Sequence, residues 1–195
     1  MSPLEIIAAI FGAIAVYLSA RENIWSWPTA IVNVGLYAIV FYQARLYAEM
    51  GLQIVYLVLS IYGWYNWLYG GAQRAVLNVS RASLRTLALL VLIIAAGSFV
   101  LGNTLATSTN AVLPYLDSTL AVTSLAAQWL MTRKVLQNWL LWIAVDVVYV
   151  PMFISRGLLA TAVLYAVFLV LAVLGYITWR RSYLNQRTTG ALVPA

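Results

Sequence analysis

One 53-residue segment of this chain occurs twice, and the two copies align without a gap. Placing residues 15–67 over residues 127–179 gives sixteen identical pairs, whereas about five are expected by chance in so biased a composition. The informative identities are those of Arg, Trp, Tyr, Phe and Gly: Arg21/Arg133, Trp27/Trp139, Tyr37/Tyr149, Phe41/Phe153, Gly63/Gly175 and Trp67/Trp179. The duplication indicates an internal structural repeat, and in membrane proteins such repeats place a ligand site on the axis between them.

The composition requires lipid as the solvent. Of 195 residues, 64% are hydrophobic and 8% charged, whereas a soluble domain carries about 25% charged residues. The chain contains no Cys and no His, which excludes disulfides, thiol catalysis, Cys/His metal sites and Ser-His triads. We therefore expect no metal and no cofactor. The net charge of +6 does not indicate nucleic acid binding, because the basic residues lie in short loops.

Seven apolar stretches are long enough to cross a bilayer, and the links between them are short and polar. These stretches cover residues 4–20, 25–43, 47–68, 84–102, 114–132, 137–155 and 158–179. The predicted fold class is an all-α integral membrane protein with seven transmembrane helices in a single domain, residues 1–195.

The basic residues predict the orientation. Only Arg45 and Arg156 lie in the loops on the side of the N-terminus. The other nine lie on the opposite side: Arg21, Arg74, Arg81, Arg85, Arg133, Lys134, Arg180, Arg181 and Arg187. By the positive-inside rule, the N-terminus is outside and the C-terminus is inside, with residues 181–195 as a cytoplasmic tail.

The duplication maps helices one, two and three onto helices five, six and seven. Four helices separate equivalent positions, an even number, so both copies run in the same direction across the membrane. The predicted plan is therefore a 3+1+3 parallel repeat of the SWEET type. Repeat one covers about 4–68, the connector helix about 84–102, and repeat two about 114–180.

Helix six carries the sharpest polar face. Asn138, Trp142, Asp146 and Tyr149 are spaced four, four and three residues apart, which places them on one side of a helix. A carboxylate at mid-membrane costs about 2.5–3.5 kcal/mol, so Asp146 must face protein or water. It is either a structural carboxylate bonded to a neighbouring helix or a contact for a substrate or cation beneath Trp142.

Helices three and five provide further polar candidates. Helix three carries a polar-aromatic stripe of Gln53, Tyr56, Ser60 and Trp64, and helix five carries Thr119, Thr123 and Gln128. Membrane Ser and Thr often bond the carbonyl four residues earlier, so Gln128 is the stronger candidate in helix five.

Other conspicuous residues have simpler explanations. Trp67 and its repeat partner Trp179, which adjoins Arg180, are interpreted as interfacial anchors. Glu5 and Asp117 begin their helices, where a carboxylate favours the helix dipole.

The two repeats have different residues at the positions of the polar face of helix six. Asn138, Trp142 and Asp146 align with Ser26, Ala30 and Val34. We therefore expect an asymmetric site for an asymmetric ligand.

Several of these segments resemble the PnuC family of bacterial vitamin transporters over nearly the whole chain. The segments are "NIWSWP", "LYAEMGLQIVYLVLSIYGWYNW", "QNWLLWIAVDVVYVPMF" and "LYAVFLVLAVLGY". The resemblance implies a SWEET-like fold in the bacterial inner membrane and a homotrimer. It also implies facilitated diffusion of unphosphorylated nicotinamide riboside, which a cytoplasmic kinase then traps. On this chain it assigns the ligand contacts to the eleven polar and aromatic candidates of helices three, five and six.

Thiamine is the alternative substrate, because both vitamins join a cationic aromatic ring to a polar portion. A Trp or Tyr face favours a desolvated cation by about 2 kcal/mol. The rival class is a membrane-embedded enzyme, but it would need a catalytic base or a metal cluster, and the chain has only five carboxylates, none paired in sequence.

Overall fold

The computed structural model of the chain describes residues 3–109 and 112–188, and within them it contains seven α-helices. The helices are α1 (Pro3–Ala20), α2 (Ser26–Gln43), α3 (Tyr47–Tyr69), α4 (Leu84–Ser108), α5 (Pro114–Thr132), α6 (Asn138–Ser155) and α7 (Leu159–Thr188). The predicted number of helices is thus confirmed. Four of them, α1, α4, α6 and α7, are long and apolar enough to cross a membrane by length and composition alone.

Two helices are longer than predicted. Helix α4 runs six residues past the expected end at 102, and within this extension the hydroxyls of Thr104 and Thr107 donate to carbonyls of the preceding turn. Helix α7 continues through its basic residues to Thr188, so helix occupies the first part of the expected tail. The remainder of that tail, 189–195, lies outside the described residues.

Six helices form a closed ring. Each packs on the next in the order α1, α2, α3, α5, α6 and α7, and α7 packs back on α1. Helix α4 packs on the outside of this ring, against α5. The ring leaves a central space, and α4 is remote from it.

The two sequence copies end their helices in the same way. Glu22 and Lys134, which align in the repeat, both have left-handed backbone, with φ of 56° and 54°. The amide of the residue that follows each one donates to a carbonyl five positions earlier, Asn23 to Leu18 and Val135 to Leu130. This is the Schellman ending, which turns the chain sharply and starts the next helix nearby.

The glycines at aligned positions 63 and 175 allow the closest helix contacts. A Cβ atom on Gly175 would lie 2.6 Å from the ring of Trp139, and one on Gly63 would overlap the ring of Trp27. Because these two tryptophans also align, the same helix–helix contact is built twice. The glycine–tryptophan identities therefore record packing and not ligand binding.

Three loops meet at one end of the ring, which we call the loop end: residues 21–25, 70–83 and 133–137. The α3–α4 loop is fixed to the α5–α6 loop there, because the amide of Ser80 donates to Lys134 and its carbonyl accepts from Leu136. Ser80 and Val135 form an isolated parallel bridge, and Gln137 accepts from the amide of Ala82. The helix spacing alone did not predict this bridge.

The tryptophans at the loop end are buried. Trp67 is 2% exposed and Trp179 is fully buried, and their indole N–H groups donate to the carbonyls of Met131 and Ser19. The interpretation of both as interfacial anchors is wrong. Each ring lies against its own repeat's Trp27 or Trp139 instead of lipid headgroups.

Candidate functional site

A cavity of about 700 Å³ occupies the centre of the six-helix ring. Its described lining residues come from α1, α2, α3, α5, α6, α7 and the loop before α7, with none from α4. Such a volume accommodates a ligand of drug or vitamin size. At the loop end the wall includes Trp27 and Trp139 together with Ser19, Ser26 and Met131, whereas at the opposite end it continues to the exposed Leu158.

Helix α3 presents the predicted face to this cavity. Gln53, Tyr56 and Ser60 all line it, one turn apart. The hydroxyl of Tyr56 lies 2.5 Å from that of Ser124 on the neighbouring helix α5, and this hydrogen bond fixes the phenol at the cavity wall. Trp64 lies outside the cavity and is 38% exposed. The three polar residues thus share the face of α3 that lines the cavity, whereas this tryptophan lies off that face.

Helix α6 contributes its three central candidates. Trp142, Asp146 and Tyr149 line the cavity, while Asn138 does not. Asn138 is fully buried at the start of the helix, where its side-chain amide donates to the carbonyl of Val135 at 2.7 Å. Three residues of the predicted stripe thus line the cavity, whereas its first residue is buried outside the lining.

Helix α5 is rotated relative to the prediction. Of its three candidates only Gln128 lines the cavity, together with Ser124 and Ala121. The hydroxyl of Thr119 donates to the Tyr115 carbonyl at 2.7 Å, and this residue lines a separate shallow groove against α4. Thr123 lies outside the cavity wall. Hydroxyl residues follow one another closely along α5, so their spacing did not identify the face that turns inward.

Several lining residues were not among the predicted contacts. Asn33 and Tyr37 of α2 and Tyr165 and Phe168 of α7 complete the wall. Asn33 is held by a 2.7 Å bond from its amide to the carbonyl of Ala8. The repeat itself contained a signal for two of these residues, because Tyr165 and Phe168 align with Gln53 and Tyr56 of α3.

Aromatic rings surround the half of the cavity away from the loop end. The ring of Tyr149 stacks on Phe153 at 5.4 Å between centroids and lies 4.8 Å from Tyr165, which in turn meets Phe168 at 5.6 Å. In the other repeat Tyr37 stacks on Phe41 at 5.9 Å. Stacked aromatic walls suit a flat heteroaromatic ligand.

The charged groups of the cavity are acidic. Glu5 and Asp146 line it, and none of the lining residues in the described ranges is Lys or Arg. Asp146 is 3% exposed and no cation of the described chain pairs with it. Glu5 does lie in the first turn of its helix, as predicted, but it also faces this cavity. A cavity with this charge favours cationic ligands and disfavours anionic ones.

Comparison with known proteins agrees with this architecture. Residues 2–181 match the model of the family described as "Nicotinamide mononucleotide transporter". The nicotinamide riboside transporter PnuC of Escherichia coli strain K12 is 29% identical, over 93% of this chain and 87% of that protein. The riboflavin/roseoflavin transporter RibM of Streptomyces davaonensis is 25% identical, over 90% of this chain and 83% of its own.

A solved structure has the same fold. The crystal structure of the vitamin B3 transporter PnuC matches with a TM-score of 0.71 and 28% identity, over 91% of this chain and 80% of that one. The expected location, multi-pass in the bacterial inner membrane, agrees with this family and with the apolar helices described above. The chain belongs to the nicotinamide mononucleotide transporter family, and with it to the PnuC-type vitamin transporters.

Proposed function

We propose that this protein carries nicotinamide riboside across the bacterial inner membrane by facilitated diffusion. The observation that carries the proposal is the unpaired, buried carboxylate of Asp146 in an aromatic cavity. The pyridinium ring of the riboside is flat and cationic, so it gains both ring stacking and charge neutralisation at this place. The amides of Gln53, Asn33 and Gln128 supply hydrogen-bonding groups for its carboxamide and hydroxyls.

The same charge argues against the phosphorylated form. Nicotinamide mononucleotide carries a phosphate, which proteins bind with Arg, Lys or exposed backbone amides. The cavity offers the carboxylate of Asp146 and no basic residue among its described lining. Phosphorylation in the cytoplasm would therefore trap the vitamin, because its product is repelled from the route of entry.

Thiamine is the second candidate, since its thiazolium ring is also cationic and aromatic. Riboflavin, named for the Streptomyces relative, is neutral at its ring system and would leave Asp146 without a countercharge. We rank the three vitamins in that order: nicotinamide riboside, thiamine and riboflavin.

The transport experiment uses the purified protein in liposomes. Labelled nicotinamide riboside is expected to equilibrate across the membrane without an ion gradient, and without ATP because the sequence contains no G-x-x-x-x-G-K-[ST] motif. Unlabelled thiamine, riboflavin and nicotinamide mononucleotide are the competitors, and the mononucleotide is expected to compete least. Sodium- or proton-driven accumulation of free vitamin above its external concentration would refute facilitated diffusion, and stronger competition by thiamine would reassign the substrate.

We further propose a 3+1+3 parallel repeat with the loop end in the cytoplasm. The ring of six helices and the repeated Schellman endings support the repeat. The charge bias supports the orientation. The residue boundaries of the repeats and the homotrimer implied by the family resemblance stay predictions, and crosslinking in membranes would check the trimer.

The orientation predicts which sites an impermeant thiol reagent can reach in intact cells. The chain has no Cys of its own, so a single introduced Cys provides the one thiol that the reagent can label. Asn78→Cys in the exposed α3–α4 loop is expected to stay unlabelled until the cells are opened. Ser108→Cys at the end of α4 is expected to react at once. The reverse pattern would invert the proposed topology.

A further inference from the structure

The cavity is closed at the loop end by four tryptophans, which we call the tryptophan cluster: Trp27, Trp67, Trp139 and Trp179. Trp27 meets Trp67 at 5.3 Å between ring centroids, Trp67 meets Trp179 at 5.7 Å, and Trp179 meets Trp139 at 5.4 Å. The outer two rings line the cavity, while the inner two lie beyond it. The four rings thus form a continuous chain of contacts at this end of the cavity.

The cluster holds the two repeats together through reciprocal bonds. Trp67 of repeat one donates to the carbonyl of Met131 at 2.9 Å, and Trp179 of repeat two donates to that of Ser19 at 3.0 Å. Ser19 and Met131 occupy aligned positions, as the two donors do. The two hydrogen bonds are therefore related by a pseudo-twofold axis that passes between Trp67 and Trp179.

An ion pair lies on the same axis. Nζ of Lys134 is 2.9 Å from Oε2 of Glu22, and these residues also align in the repeat. Two equivalent positions touch each other only where the axis passes between them. The side chains are 6% and 19% exposed, so the pair is largely removed from water.

Lys134 connects this pair to the surrounding parts. Its Nζ donates to the carbonyl of Leu77 in the α3–α4 loop at 3.1 Å and lies 4.8 Å from the centroid of the Trp67 ring. One ammonium group thus joins repeat one, repeat two and the connecting loop directly beneath the tryptophan cluster. Any separation of the repeats at this end must break the ion pair.

We infer that Glu22 and Lys134 lock an inner gate, formed by the tryptophan cluster, that closes the central cavity toward the cytoplasm. The inference rests on the proposed transport function, in which the vitamin must leave at the loop end. Breaking a buried pair strands one charge in a poorly solvated place, so loss of either partner destabilises the closed gate. Because the closed state becomes less stable, the population of the open state rises.

The test measures access to the cavity and needs no vitamin. Ala30 lines the cavity one turn above Trp27, so Ala30→Cys reports solvent entry from either side. In inside-out vesicles, the parent with Ala30→Cys is expected to react slowly with an impermeant thiol reagent. Adding Glu22→Gln is expected to raise that rate roughly tenfold. Size-exclusion chromatography of each purified variant shows that it is folded.

Charge reversal separates the ion pair from general damage. Glu22→Lys alone places two cations together and is expected to label fastest. Combining it with Lys134→Glu restores opposite charges, and the rate is expected to fall back toward that of the parent, as a double-mutant cycle requires for a direct contact. The matched control is Arg133→Gln, because Arg133 is the neighbouring cation but lies over the Trp129 ring at 4.7 Å, outside the pair.

Three results would overturn the inference: equal labelling of the parent from both faces, an unchanged rate in Glu22→Gln, or a reversed pair as fast as Glu22→Lys alone. Failure of nicotinamide riboside to cross liposomes would refute the transport proposal separately. The gate and the substrate are therefore tested by independent measurements.

Discussion

Replacing Trp179 with Ala is expected to lower the free energy of unfolding by about 3–5 kcal/mol, the usual cost of truncating a buried aromatic residue. The ring is fully buried, meets two other tryptophans and donates a hydrogen bond across the repeats. The substitution removes all three contacts and leaves the Ser19 carbonyl without its partner. Thermal unfolding of the detergent-solubilised protein, followed by size-exclusion chromatography, measures the loss.

Trp25→Ala is the matched control for that experiment. Trp25 has the same side chain at the same end of the ring, but it is 65% exposed. Its truncation is expected to change stability by less than about 1 kcal/mol, as is usual for surface substitutions. Similar losses for both variants would mean that the tryptophan cluster does not hold the repeats together.

Replacing Trp142 with Ala is expected to weaken binding of nicotinamide riboside at least about tenfold, equivalent to 1.4 kcal/mol. Trp142 lines the cavity one turn from Asp146 on α6. Its loss removes both the ring contact and any attraction between the ring face and a cationic ligand. Trp142→Phe is expected to retain part of the affinity, because a weaker aromatic face remains. Equilibrium titration of each purified, folded variant gives the comparison.

Trp64→Ala is the control for this binding experiment. Trp64 lies outside the cavity on another face of α3, so its truncation is expected to leave affinity within about twofold of the parent. If Trp64→Ala abolished binding and Trp142→Ala did not, the ligand would lie outside the central cavity and the site would have to be moved.

The fold was predictable because its main signals are local. Apolar length identified all seven helices, and residues spaced by one turn correctly placed Gln53, Tyr56 and Ser60 on a common face. The face of α5 was not predictable in the same way. Thr119 and Ser124 are chemically similar, and only the packing of α5 between α3, α4 and α6 decides which one turns inward.

The burial of Trp67 and Trp179 was missed because it depends on residues far away in the sequence. A tryptophan beside Arg180 looks like a membrane-interface anchor when only its neighbours in the chain are considered. Its actual environment comes from the junction of two repeats. The alignment did contain a usable signal, since it places Glu22 opposite Lys134: opposite charges at equivalent positions can pair across a twofold axis.

That ion pair also constrains how such a chain could have arisen. In a symmetric dimer of identical three-helix units, the axis would bring together two copies of the same residue, and two carboxylates or two ammonium groups would repel. The contact between Glu22 and Lys134 becomes attractive only after the two units can mutate independently. A complementary pair on the axis therefore requires two copies that differ in sequence, which a dimer of identical chains cannot provide.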